Sequence, residues 1–213
     1  MFFYNDFIWS LWSMLFINIS SDNVHLLDNQ EEQFLPRNGI ENTLWASLLE
    51  YTQAHPVETL LLLNGPGGFT NLRVGTLLIN TINELLLHDT GTFIPLASLT
   101  KWDLYTYAYT KGRIPRYGII YIGQKHNVRR FDAQEKTYEQ LFLENIDYSD
   151  DLFLDWVHDP YWTNDKHMIS FSMKNNTLYF HYTWEVHAIP LIELRIPLTM
   201  KVAPEYLIEP TMN

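Results

Sequence analysis

The chain has 213 residues, of which 46% are apolar and 15% aromatic, and its formal net charge is −11. This length and apolar content predict one or two small domains with a real core and exclude a disordered chain. The absence of cysteine excludes disulfides, thiolate nucleophiles and cysteine–zinc sites, and it agrees with a cytoplasmic protein. The negative charge disfavours binding to nucleic-acid phosphates.

The first thirteen residues are predicted to be an N-terminal extension. They are rich in Phe and Trp and contain no Lys or Arg. They lack the basic start and the cleavage site of a secretory signal, and they are too short to span a membrane. We interpret residues 1–13 either as an amphipathic arm that packs on this protein or a partner, or as a stretch upstream of a start at Met14.

Residues 14–110 alternate β and α patterns and are predicted to form an N-terminal lobe. The apolar run at 59–63 is typical of a central strand that is covered on both faces. A preceding helix stops before Pro56. In chain order, we predict strands at 15–20, 24–27 and 33–35, a helix at 40–54, a strand at 59–63, a helix at 71–88, a strand at 93–96, and a helix that Ser98 caps and that reaches Tyr109.

A glycine-rich loop joins the strand at 59–63 to the helix at 71–88. Gly65, Gly67 and Gly68 allow positive φ and close backbone approach. We expect Thr70 or Asn71 to cap the helix. Free N–H groups at a helix N-terminus can hold a phosphate, but a glycine turn without a ligand explains the same pattern.

Residues 111–213 are predicted to form a smaller C-terminal α/β lobe without an internal repeat. We expect strands at 117–122 and 128–131, a short helix at 139–144, and a hairpin of strands at 168–173 and 178–182. Pro190 and Pro197 exclude a long helix over residues 185–200.

Catalytic and metal-binding patterns are weak in this chain. The sequence contains no HExxH and no GxSxG, and its eight histidines include no pair spaced i, i+4. His181 and His187 flank a predicted strand end and are a minor metal candidate. A second minor candidate is an acidic run, which we interpret mainly as carboxylates facing water: Asp147, Asp150, Asp151, Asp155 and Asp159. We therefore predict no catalytic residue, metal or cofactor.

A weak basic cluster lies in the second half of the chain. Lysine and arginine at a sheet edge discourage strand-to-strand aggregation, so we interpret the cluster as a solvated hairpin edge in preference to a nucleic-acid contact. Its members are Lys111, Arg113, Arg116, Lys125, Arg129 and Arg130.

The two predicted helices of the N-terminal lobe carry more apolar surface than one sheet contact needs. On a helical wheel, apolar residues cover about half of the helix at 40–54 and more of the helix at 71–88, whereas a surface helix needs little more than about 100°. Either another part of this chain covers the excess, for example the N-terminal extension, or another protein does. The predicted partner contacts, of which Trp45 is the strongest, are Leu44, Trp45, Leu48, Leu49, Leu77 and Asn80.

Four segments resemble those of one protein family in order and spacing. GPGGFTNLRVG at 65–75 resembles the GPGSFTGLRxG signature of the TsaB family, also called YeaZ. LFINIS at 15–20 is similar to the first strand of that family, ILAIDTS. IPLASL at 94–99 resembles its PxxGVSSL segment, and APEYLIEP at 203–210 resembles its closing PxYLRxP.

The resemblance implies an RNase H-like fold of the actin, sugar-kinase and Hsp70 superfamily, here in two lobes with the second reduced. TsaB proteins are the non-catalytic partners of TsaD, the enzyme that makes threonylcarbamoyladenosine in tRNA. The resemblance therefore implies pairing with a TsaD-like enzyme through the two N-terminal helices, or a homodimer when the chain is alone. It also implies that a TsaE-like ATPase joins the assembly.

The chain departs from the family pattern at the positions closest to nucleotide chemistry. Gly68 replaces the loop serine, Asn71 the second loop glycine, Asn18 the first-strand aspartate, and Ile208 the closing arginine. Asn18 has no charge with which to hold Mg²⁺. We therefore interpret the loop as vestigial, with an autonomous nucleotide-binding phosphotransferase or ATPase that uses residues 65–70 as the alternative; the loop residues are Gly65, Gly67, Gly68, Thr70 and Arg73.

Overall fold

Helices alternate with strands in the first half of the chain, and strands dominate the described part of the second half. The computed structural model describes residues 14–21, 23–28, 32–55, 57–67, 69–121, 127–147, 151–156, 167–174, 177–194 and 196–204. The first half contains β1 (Met14–Asn18), β2 (Val24–Leu27), β3 (Glu32–Leu35), α1 (Ile40–Ala54), β4 (Thr59–Leu63), α2 (Phe69–Thr90), β5 (Leu96–Leu99) and α3 (Lys101–Thr110). The second half contains β6 (Tyr117–Tyr121), β7 (Asn127–Asp132), β8 (Thr137–Phe142), β9 (Leu152–Trp156), β10 (Ser170–Lys174), β11 (Thr177–Tyr182), β12 (Glu185–Ile189), α4 (Leu191–Leu194) and β13 (Leu198–Thr199).

The main sheet has six strands in the order β13-β5-β4-β1-β2-β3. Strand β1 is parallel to β4, and β4 is parallel to β5, whereas β2, β3 and β13 pair antiparallel with their neighbours. Every residue of β1 and of β4 is buried, as expected for apolar strands that are covered on both faces. The strand order and the βββαβαβα connectivity confirm the predicted RNase H-like fold.

Different elements cover the two faces of the main sheet. Leu15 and Ile17 of β1 belong to a core cluster that also contains the buried Leu and Ile side chains of α1 and α2. Met14 and Phe16, which alternate with them, belong to a second cluster that contains residues of α3 and of the second lobe. The two lobes therefore share one continuous core on the α3 side of the main sheet.

The second lobe repeats the pairing pattern of the first. Its four-stranded sheet has the order β8-β7-β6-β9, in which β6 is parallel to β9 and the other pairs are antiparallel. The same pattern relates β3, β2, β1 and β4. A parallel bridge between Leu154 and Met168 links this sheet to the antiparallel sheet β10-β11-β12. Where the first lobe has the 15-residue α1, the described part of the second has a single 3₁₀ turn, Leu143–Asn145.

Several predicted elements need correction. The helix predicted at 139–144 is wrong, because β8 occupies residues 137–142 and pairs with β7 along its whole length. Strand β5 begins three residues later than predicted, and α3 is capped by Thr100 and not by Ser98. The Thr100 hydroxyl accepts a hydrogen bond from the N–H of Asp103, whose carboxylate accepts from the N–H of Thr100. The predicted hairpin is confirmed as β10 and β11, although its turn at 175–176 lies outside the described residues.

The C-terminal part of the chain returns to the first lobe. Strand β13 pairs with β5 at the edge of the main sheet. The predicted boundary, which assigned all of residues 111–213 to the second lobe, therefore needs correction for residues 198–203. The predicted extension at 1–13 lies outside the described residues.

His25 is a buried titratable group on β2, the neighbour of the edge strand β3 in the main sheet. It is 5% exposed, its ring stacks on Phe34 at 4.3 Å between centroids, and Nε2 lies 2.8 Å from the Glu32 carboxylate. Burial lowers the pKa of His25 below its ordinary value of 6.5, although Glu32 acts in the opposite direction. The folded chain therefore favours the neutral ring.

We expect the free energy of unfolding to decrease as the pH falls through 6.5. In that range the unfolded chain binds a proton at His25 more readily than the folded chain does, so stability rises with pH. The contribution of one such proton is at most about 1.4 kcal/mol per pH unit. Urea unfolding at several pH values between neutral and mildly acidic measures how steeply the free energy of unfolding changes with pH. The change His25→Gln should make this dependence less steep. An identical slope in parent and variant would contradict this prediction.

Candidate functional site

The glycine loop lies where open α/β sheets usually bind ligands. It follows β4, and β4 is the parallel neighbour of β1 at the point where the strand order reverses. Asn18 is the last residue of β1, and Asn64 follows β4. Two neutral amide side chains therefore lie at the carboxyl ends of these two strands. Both are buried, at 6% and 3% exposure.

The loop packs directly on the turn that follows β1. A Cβ atom on Gly67 would overlap the backbone carbonyl of Ser20, and one on Gly75 would lie 2.6 Å from Cγ2 of Ile19. The buried Asn71 donates a hydrogen bond of 2.7 Å from Nδ2 to the carbonyl of Ser21. These glycines serve close packing of α2 and its loop on the end of β1.

Asn18 organises the same turn. Its Oδ1 accepts hydrogen bonds from the N–H and the hydroxyl of Ser20, at 2.9 Å and 2.7 Å. Its Nδ2 donates to the hydroxyl of Ser21 at 3.1 Å. A carboxylate in its place would lose that donor, so the amide suits a packed turn better than a cation site.

The predicted cap of α2 is wrong, because the helix begins at Phe69 and places Thr70 and Asn71 within its first turn. Thr70 accepts a hydrogen bond of 3.2 Å from Arg37, and Arg73 is exposed. Gly65 adopts a φ of 96°, as its residue type predicts, and its carbonyl accepts 2.6 Å from the N–H of Lys101. Gly68 lies outside the described residues.

Gly67→Ala is expected to lower the free energy of unfolding by about 1–3 kcal/mol, the range for overpacking. The obstacle is the Ser20 backbone, which cannot yield without moving the turn after β1. Chemical unfolding measures the loss. Thr70→Ala, in the same loop, is the matched control and should change stability by no more than about 0.5 kcal/mol. Equal stability of the two variants would mean that the loop does not pack on Ser20.

The outer surface of the α1–α2 pair retains exposed apolar side chains. Leu77, Leu85 and Leu49 are 63%, 45% and 39% exposed, whereas Trp45 is half-buried and packs on the core beneath. We call Trp45, Leu49, Leu77 and Leu85 the outer helical face. Because the inner sides of both helices already cover the main sheet, the exposed Leu49, Leu77 and Leu85 have no role in the core of the first lobe.

Three predicted partner contacts need correction. Leu44 and Leu48 are 0% and 1% exposed and lie in the core under the helices, so they cannot touch a partner. Asn80 is engaged by this chain itself: its amide donates 2.8 Å to the carbonyl of Val202 and accepts 2.9 Å from the N–H of Val202. For Trp45, Leu49 and Leu77, partner contact stays a prediction.

A row of asparagines fixes the returning C-terminal segment, and the sequence did not reveal it. Asn83 donates 2.8 Å to the carbonyl of Ile94 and 3.4 Å to that of Met200. Asn64 donates to the carbonyl of Ala203. With Asn80, these amides hold residues 200–203 beside α2 and the loop. The only local indication of this role in the sequence is the pair of asparagines at 80 and 83 on a largely apolar helix.

The acidic run contributes an ion pair. Asp155 on β9 accepts a hydrogen bond of 2.7 Å from Nζ of Lys101 and another from the hydroxyl of Tyr105, and all three groups are buried. Burial, with Asp155 adding to it, raises the pKa of Tyr105 well above its usual value. Asp150 and Asp159 lie outside the described residues.

His181 and His187 do not converge on a metal. His181 pairs with Val186 and His187 with Phe180, so the two imidazoles project from opposite faces of the β11–β12 pair. His181 bonds to the hydroxyl of Ser172 at 2.7 Å. Within the described ranges, no three metal-ligating side chains cluster, and no helix there is both long and apolar enough to cross a bilayer.

The sequence matches no family model, and no curated protein is similar to it. Several solved structures are similar to the chain, among them the following two. One is YeaZ from Pseudomonas aeruginosa, with 17% identity, a TM-score of 0.42, and coverage of 73% of this chain and 80% of that one. The other is an uncharacterized protein with similarity to the peptidase YEAZ from Pseudomonas aeruginosa, with 18% identity, a TM-score of 0.40, and coverage of 68% and 76%.

Proposed function

We propose that this chain is a non-catalytic subunit that pairs with a TsaD-like enzyme and supports threonylcarbamoylation of adenosine in tRNA. Its motifs resemble the TsaB family in four segments at family-like spacing. The outer helical face is the surface that makes the pair.

The exposure of Leu77 carries this proposal. The residue lies in a 22-residue helix whose buried positions already serve the main sheet, yet its own side chain is 63% exposed. Leu49 and Leu85 extend the apolar surface over both helices. A partner that presents two helices of its own would complete a four-helix contact of standard size, about 1,600 Å² in total.

The role of the subunit is to stabilise the catalytically competent form of its partner. Binding changes the partner's activity only if the subunit binds that form more tightly than the inactive form. With a net charge of −11, the subunit contributes little to tRNA binding, which is left to the enzyme. A TsaE-like ATPase joins the same assembly.

The alternative, an autonomous nucleotide-binding enzyme, has less support. The loop at 65–70 packs on Ser20, and the amide of Asn18 is engaged by the turn. Calorimetric titration of the isolated chain with ATP and Mg²⁺ separates the two functions. Tight binding would favour the enzyme.

Co-expression with the TsaD-like protein of the same genome tests the proposal. We expect the two chains to elute together as a one-to-one complex whose mass is read by light scattering. The isolated subunit should give a homodimer or a monomer. Elution of the two proteins as separate species would contradict the proposal.

A further inference from the structure

Arg129 on β7 is a buried arginine without an acidic partner. The residue is 6% exposed, and its one hydrogen bond to a described residue is a long one, 3.4 Å from Nη1 to the carbonyl of Val128. No carboxylate of the described residues lies within 4 Å of it. Burial lowers its pKa, with Tyr138 acting in the opposite direction. A buried guanidinium without a counter-charge destabilises the folded protein unless an anion pairs with it.

The other two arginines of this region, in contrast, have carboxylate or aromatic partners. Arg116 forms a double hydrogen bond with Asp132, at 3.0 Å and 2.6 Å, at the other end of β7. Arg130 lies over the ring of Tyr117 and 3.4 Å from Glu139. Among the described residues, Arg129 has neither a carboxylate nor an aromatic ring as a partner.

The pairing of strands places Arg129 beside the ion pair that joins the lobes. Arg129 pairs with Ile120, and Ile120 pairs with Asp155, so the three residues form one row on one face of the sheet. Two strand spacings separate Arg129 from Asp155, about 10 Å, and Asp155 is already bonded to Lys101. Together with Lys101 of α3, the described residues here comprise two buried cations and one carboxylate.

Other hydrogen-bond donors lie close by. Tyr138, which is 48% exposed, stacks on Trp102 at 5.8 Å between centroids, and Trp102 stacks on Phe131, two residues from Arg129 on the same face of β7. The indole N–H of Trp102 and the hydroxyl of Tyr138 form no hydrogen bond with the residues that the structure describes. A guanidinium, an indole N–H and a phenol hydroxyl all donate hydrogen bonds, so together they can bind a small oxyanion.

We propose that Arg129 anchors a binding site for a small oxyanion, a phosphate or carboxylate group, on the inner face of the second lobe beside Trp102 and Tyr138. The guanidinium binds the anion through two parallel N–H bonds, and the ligand balances the charge of Arg129, because Asp155 already pairs with Lys101. This site is separate from the outer helical face.

Isothermal titration of the full chain with inorganic phosphate, acetate and chloride at constant ionic strength tests the site. We expect saturable binding of phosphate or acetate, and the stronger of the two identifies the anion class. Arg129→Met should weaken it by about tenfold or more, as the loss of a charged hydrogen-bond partner predicts. Arg130→Met, one residue away on the opposite face, is the matched control and should leave it unchanged.

Two results would overturn the proposal: no saturable binding to the parent chain, or equal affinities of the parent and Arg129→Met. If Arg129→Met does not fold, Arg129→Lys decides, because lysine keeps the charge but not the bidentate geometry and should also weaken binding. Leu77→Asp should bind the anion like the parent, so failure of this site and failure of the partner interface are distinguishable.

Discussion

Leu77→Asp is expected to abolish the complex with a TsaD-like enzyme and to leave the fold intact. On a helical wheel, Leu77 lies roughly opposite Leu72 and Ile79, which are buried under α2, and its side chain is 63% exposed. A carboxylate there costs the free subunit little. In a complex it would be an unpaired charge in the middle of an apolar contact.

The expected loss of affinity is at least about 100-fold, which corresponds to a hot-spot residue of about 3 kcal/mol. Calorimetry with the purified partner measures it, and thermal unfolding should show a change within about 0.5 kcal/mol. Val186→Asp is the matched control, because Val186 is 58% exposed on β12, in the second lobe. Equal affinity of Leu77→Asp and the parent chain would contradict the proposed interface.

Trp45 is a less informative position for this test. Its side chain is half-buried and packs on the core formed by α1, α2 and the main sheet. Trp45→Asp would therefore lower stability as well as affinity, and a lost complex would have two explanations. Leu77→Asp avoids that ambiguity.

Asp155→Ala is expected to destabilise the protein by about 3–5 kcal/mol. The change leaves the ammonium group of Lys101, which is 2% exposed, buried without a counter-charge. It also removes the acceptor of the Tyr105 hydroxyl. Because Lys101 and Tyr105 lie on α3 and Asp155 on β9, the loss falls on the contact between the lobes.

Urea unfolding measures this loss, and two further variants define its origin. Adding Lys101→Met to Asp155→Ala removes the unpaired charge and should recover part of the stability. Glu193→Ala breaks an exposed pair with Lys111 and should cost much less stability than Asp155→Ala, because water screens exposed ion pairs. If Asp155→Ala costs as little as Glu193→Ala, the buried pair does not hold the lobes together.

The sequence predicted the first lobe better than the second. Strands β2 and β4 and helix α1 have the predicted bounds, because apolar runs and Pro56 mark them locally. Strand β8 lies at the edge of its sheet, and most of its residues are exposed on either face. Its sequence therefore lacks the apolar–polar alternation of a half-buried strand, and the pattern wrongly predicts a helix. The repeated topology of the lobes consists of strand pairings and left no repeat in the sequence.

The candidate interface was predicted at the level of the helices and not of the residues. With apolar side chains over much of each circumference, the pattern did not fix which side of α1 faces the sheet, so Leu44 and Leu48 were placed on the wrong side. The role of Asn80 depends on Val202, a residue 122 positions away. Long-range contacts of this kind have no local signal in the sequence.

Site-specific cross-linking tests the central claim, that another polypeptide covers the outer helical face. A photoreactive p-benzoylphenylalanine in place of Leu77 should form a covalent adduct with a co-expressed TsaD-like protein, and the same group in place of Val186 should form none. Adducts of equal yield from both positions, or none from position 77 while a complex is present, would contradict the account.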